Sequence, residues 1–122
     1  MNFTYQFRKK SAHCIVALDG NLLDKESATA FLSEIDNFIA NEQNSFVVDL
    51  SRVQHINSSG LSVLISILTK ARNAGGDVII SNVPEKIKPL LITTKLNTVF
   101  TVTNNNKMAE GALKEVVKEV GK

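Results

Sequence analysis

An α/β fold, with a mixed β-sheet of about five strands covered by about four helices, is what this 122-residue sequence predicts. Two observations carry the expectation. Short apolar runs rich in β-branched residues, the mark of strands, alternate with longer segments whose apolar residues recur every three or four positions, the mark of helices. No linker, low-complexity tract or long internal repeat divides them, so a single domain over residues 1–122 accounts for the chain.

Phe3, Tyr5 and Phe7 alternate with polar residues, as in a half-buried strand. Cys14 to Leu18 reads as a second strand, and the polar interval Arg8 to Ser11 suggests a hairpin between the two. Asp19-Gly20-Asn21 reads as a turn. Asp24 can cap a first helix that carries Ala28, Phe31, Leu32, Ile35, Phe38 and Ile39 on one core-facing stripe. Further on, Asn73 to Gly76 is a helix stop, with Gly75 suited to the left-handed position, and Val78 to Ile80 is another buried strand. Pro84 opens a short helix holding Ile87, Leu90, Leu91 and Leu96, which Pro89 should bend unless it falls in the first turn. Val99, Phe100 and Val102 suggest a last strand. Asn104-Asn105-Asn106 can then cap a final helix with Ala109, Leu113, Val116, Val117 and Val120 on its stripe.

The chain is organised around Phe46 to Ala71. Phe46-Val47-Val48, closed by Asp49-Leu50, is a short buried strand, and a polar connection leads on to Val53 and Ile56. From Leu61 the period becomes helical, with Leu61, Leu64, Ile65, Leu68 and Ala71 on the core face. Asn57, Ser58 and Ser59 are three successive residues able to cap a helix, placed where strand hands over to helix. The first N–H groups of that helix lack intrahelical partners and its dipole favours negative charge, so a serine there can serve as a cap or carry a phosphate. Gly60 costs helix stability and implies a close approach, either by a partner's backbone or within the fold. Val63 and Ile67 form a second apolar stripe, to be covered by a neighbouring helix or to contact a partner.

Asp49-Leu50-Ser51, Val53, Ile56-Asn57-Ser58-Ser59-Gly60-Leu61 and Leu64 together resemble the signature of STAS domains, specifically the small bacterial anti-sigma factor antagonists. Leu18-Asp19-Gly20, Gly75-Gly76 and the Pro84 segment fall in matching order, so the resemblance covers essentially the whole chain. It implies a regulator without enzymatic activity of its own. The serine at Ser58, or less favourably Ser59, would be phosphorylated by an anti-sigma factor kinase of the histidine-kinase-like ATPase fold. The unphosphorylated form would bind that kinase and free a sigma factor, and a metal-dependent serine phosphatase would reset the cycle. The partner surface would include Asn57, Ser59, Gly60, Val63, Ile67, Asn21, Leu23 and Asp24. Two departures bear on partner identity: Asn57 stands where many members have Asp, and Leu23 where Asp is common, with Asp24 one residue later. The alternative within the resemblance is a structural subunit of a lipid-transport ABC complex or a sensory scaffold.

Other classes find little support. A formal net charge of +2 argues against nucleic acid or an anionic membrane as partner, and no apolar stretch approaches the ~20 residues of a membrane span. Cys14 has no second cysteine to pair with and the first residues lack the apolar region of a signal peptide, so a cytoplasmic location is expected. His13 and His55 have no ligand partner at metal-binding spacing, and glycines are too sparse for a nucleotide loop, so no cofactor or metal is expected. A serine hydrolase would place Ser58 or Ser59 at a nucleophile elbow, but the flanking glycine pattern is missing: Ile56 precedes Ser58 by two and Asn57 precedes Ser59 by two.

Overall fold

The computed structural model describes residues 3–10 and 13–112. β1 (Phe3–Lys9) and β2 (Cys14–Leu22) form the expected hairpin, with Phe3 opposite Gly20 and Lys9 opposite Cys14. β3 (Phe46–Ile56), β4 (Val78–Ser81) and β5 (Thr101–Thr103) then follow, each parallel to the strand before it. α1 (Thr29–Ala40), α2 (Ser58–Asn73) and the pair α3 (Lys88–Thr93) and α4 (Leu96–Val99) make the crossovers. A further helix, α5, is described over residues 106–112, so among the described residues five helices accompany five strands.

Strand order in the sheet equals chain order. Parallel crossovers are right-handed, and because every crossover here steps in the same direction, α1 to α4 must all land on one face. The packing follows. Val16, Val48 and Ile80, in register across three strands, share one core with Phe31, Ile35, Leu64, Ile67 and Leu91. Ile15, Val47 and Ile79 are one residue out of phase, point to the other face, and meet Ala109 of α5. On β1 the alternation is as expected: Phe3, Tyr5 and Phe7 lie with ring centroids 5.0–5.8 Å from that of Phe31, and Phe7 is 4.7 Å from Phe38. Cys14 is fully buried, and burial pushes its thiol up to about 11.

Several boundaries differ from expectation, for physical reasons. Asp19-Gly20-Asn21 is not a turn but part of β2, with Gly20 at φ +93°. β3 does not stop at Leu50. From Asp49 to Arg52 it takes three steps where β2 takes two, and from Val53 to His55 two where β2 takes one. Such extra residues break the alternation that marks a strand in sequence. Asp24 caps a turn rather than a helix: its carboxylate accepts the Ser27 N–H at 2.7 Å, a bond that holds the carboxyl below its ordinary pKa, and α1 starts only at Thr29. Leu96 belongs to α4, cut off from α3 by Lys95 at φ +62°, and Val99 ends α4 rather than opening the last strand.

Other expectations hold. Pro89 lies in the first turn of α3, where its missing N–H costs no intrahelical bond. Gly75, at φ +88°, ends α2 in a paired closure: its N–H reaches the Arg72 carbonyl at 3.0 Å, and that of Gly76 reaches Ala71 at 2.8 Å. Asn105 caps α5 by accepting the Met108 N–H at 2.9 Å. Ser11 and Leu113, Val116, Val117 and Val120 fall outside the described residues. Among the described residues no helix is long and apolar enough to cross a membrane.

Candidate functional site

The bulged end of β3 runs directly into α2. Asn57, in extended conformation, is the N-cap: its side chain accepts the Gly60 N–H at 2.9 Å and its carbonyl accepts the Leu61 N–H at 2.9 Å. One of the three residues able to cap the helix therefore does so, and it is the asparagine. Ser58 and Ser59 follow, both exposed, and among the described residues neither hydroxyl has a hydrogen-bond partner. Their N–H groups precede the first intrahelical bond, and a helix of 16 residues directs its positive end at them. No acidic side chain occupies that first turn, whereas Lys70 and Arg72 complement the opposite end.

Gly60 is explained from inside the fold. A Cβ there would lie 2.0 Å from the Leu22 carbonyl oxygen and 2.8 Å from Ile56 Cγ1, so the glycine is required for the end of β2 to close against α2. It is buried, and a partner backbone cannot use the space. The same contact brings the end of β2 against the serine-bearing turn. Asn21, opposite His55 in the sheet, has its Oδ1 sealed from solvent with no hydrogen-bond partner among the described residues. Leu23 is 41% exposed, and Asp24 is exposed in its capped turn.

Two apolar positions are corrected. Val63 and Ile67 are both 0% exposed within the main core, so they are packing residues and not a partner surface. Ile65, read from the sequence as core, is 38% exposed. The buried residues of α2 run from Gly60 to Ala71 and span about 160° of its circumference at about 100° per residue. Val63 and Ile67 fall within that arc, while Ile65 lies on the side of Ser58 and Ser62. The sequence held the signal: Ser58, Ser62, Ser66 and Thr69 mark the solvent face, and Ile65 falls among them.

Among the described residues, neither His13 nor His55 is hydrogen-bonded to the Ser58 or Ser59 hydroxyl. His13 Nε2 donates to Glu110 Oε2 at 2.7 Å, beside the first residues of β3. Ser58 follows the other end of that 11-residue strand, roughly 30 Å away at about 3.3 Å per residue. Among the described residues no group of three or more His, Cys, Asp or Glu could hold a metal ion.

Comparison with known proteins agrees with this geometry. The sequence model of the STAS domain matches residues 4–109. The chain belongs to the STAS domain family. Several solved structures superpose over most of its length. A protein of Thermotoga maritima, provisionally described as an anti-sigma factor antagonist, has 22% identity and a TM-score of 0.81, covering 90% of this chain and 94% of its own. An anti-sigma factor antagonist of Mycobacterium paratuberculosis has 19% identity and a TM-score of 0.76, covering 93% and 95%. The anti-sigma factor antagonist SpoIIAA, a Bacillus cell fate determinant, is similar in its unphosphorylated form (14% identity, TM-score 0.70, covering 93% and 97%). Its phosphorylated form is similar as well (14%, 0.69, covering 89% and 99%). At these identities the likeness is one of fold.

Proposed function

We propose that this STAS protein is a non-enzymatic anti-sigma factor antagonist, switched by phosphorylation of Ser58. The observation that carries the reading is the spare hydroxyl. Asn57 already caps α2, so Ser58 is exposed at the positive end of a 16-residue helix with no structural duty for its side chain. A phosphoserine brings about −1.5 to −2 charges, which the free N–H groups and the dipole at that end can receive without unfolding the helix. The relation to SpoIIAA supports the idea that such a switch needs no refolding, since this chain matches that protein's phosphorylated and unphosphorylated forms with TM-scores of 0.69 and 0.70.

In this reading the unphosphorylated protein binds an anti-sigma factor that is also a serine kinase of the histidine-kinase-like ATPase fold, and so frees a sigma factor. Phosphorylation ends the contact, and a metal-dependent serine phosphatase restores it. Losing about 3 kcal/mol at the interface would weaken binding roughly a hundredfold, enough to exchange partners. Leu23 and Asp24, beside the serine turn, belong to the partner surface.

Incubation with ATP and the cognate kinase, followed by mass spectrometry, tests this. One phosphate is expected on Ser58, absent in Ser58→Ala and retained in Ser59→Ala. Stable copurification with an ABC ATPase and no phosphate on either serine would point instead to a structural STAS subunit.

A further inference from the structure

We infer that the partner surface runs from Ser58 along the solvent face of α2 for two further turns, with Ile65 as its apolar anchor; this rests on the function proposed above. Ser58, Ser62, Ile65 and Thr69 fall within about 60° of one another around α2, and Ile65 lies about 10.5 Å along the axis from Ser58. The side chain is 38% exposed although a helix face of this kind ordinarily carries charge. Here it carries none. From Ser58 to Thr69 no residue is acidic or basic; the first charge is Lys70, which is held by Asp36 at 2.9 Å. The strip shares with interface centres its lack of charge, and its one exposed apolar side chain is flanked by short side chains that leave it accessible to a partner.

The occupant is the anti-sigma factor kinase that reads Ser58, because the strip is continuous with the acceptor hydroxyl on the same helix. A second copy seated on this face would cover that hydroxyl and block its modification. The matching surface on the kinase is therefore apolar and uncharged opposite Ile65. It follows that phosphorylation places the only charge on the strip from Ser58 to Thr69, and that release comes from the cost of burying a dianion rather than from long-range repulsion.

Affinity of the full-length protein for the kinase that labels Ser58, measured by calorimetry, separates the outcomes. Ile65→Ala is expected to weaken binding about tenfold or more and Ile65→Asp to abolish it, with melting temperatures unchanged because the side chain is outside the core. Raising salt from about 0.1 to 1 M, which shortens the screening length from about 10 to 3 Å, should leave wild-type affinity within about threefold and should not restore binding by the phosphorylated protein. Ile65→Ala binding within about twofold of wild type, while wild type still binds and is phosphorylated, would overturn the inference and leave the function standing. Recovery of phosphoprotein binding at high salt would likewise overturn it, as would self-association of wild type that Ile65→Asp removes. A wild-type protein neither bound nor labelled would instead refute the function.

Discussion

At Gly60 and Asn57, adjacent demands on single residues are met by different chemistry. Asn57 supplies the cap, which leaves the serines unencumbered, and Gly60 supplies the absence of a side chain that lets the Leu22 carbonyl approach. Gly60→Ala should therefore destabilise the protein by about 2–3 kcal/mol, since the Leu22 carbonyl oxygen at 2.0 Å is backbone and cannot rotate away. Ser59→Ala, next to it and exposed, should stay within about 0.5 kcal/mol. Urea denaturation of the two variants measures both. An equal, small effect in each would mean that the close approach of β2 to α2 relaxes at no cost. From sequence, a costly glycine in a first helical turn announces some close approach, but not by what; the answer depends on where a strand nearly forty residues earlier ends.

Among elements, α5 is attached differently from the other helices. Among the described residues its apolar contact with the sheet centres on Ala109, against Ile15, Val47 and Ile79. Polar clamps hold it on either side of Ala109: Asn106 accepts from the fully buried Ser81 hydroxyl and donates to Asp49 Oδ2 at 3.1 Å, while Glu110 meets His13 at 2.7 Å. Asn106→Ala would leave Ser81 without its acceptor, at a cost of about 1–3 kcal/mol. Amide exchange over residues 106–112 should accelerate while that of α2 does not; uniform acceleration of both would show that α5 and α2 open together. The last helix was visible in the sequence as a stripe following an asparagine run. Its polar clamps were not, because each joins residues that lie 25 to 97 positions apart.

For the molecule as a whole, the one-directional strand order puts α1 to α4 on one face and leaves the serine turn at the end of the β2–β3 pair, facing solvent. A charge added at Ser58 is received by the helix end, worth about 0.3–1 kcal/mol in favour of the folded state. Ser58→Asp is accordingly expected to keep the circular dichroism spectrum and hold the melting temperature within about 4 °C of wild type or above it, while losing the kinase. A fall well beyond that margin would mean that the turn does not tolerate an anion, and the proposed switch would fail with it.

The α/β class, the five strands, the capped junction at Asn57 to Gly60 and the resemblance to STAS domains were all legible in the amino-acid order, because period, capping chemistry and glycine placement are local properties. Strand ends at β2 and β3 were not, since bulges erase the alternation on which such reading depends. The division of α2 into core and surface was legible only through its polar positions, Ser58, Ser62, Ser66 and Thr69: Val63, Ile65 and Ile67 are alike as residues, and the positions of α1 and the sheet seal two of them and leave one facing outward. Burial is set by neighbours distant in the chain, and that is what the tertiary structure alone contributed.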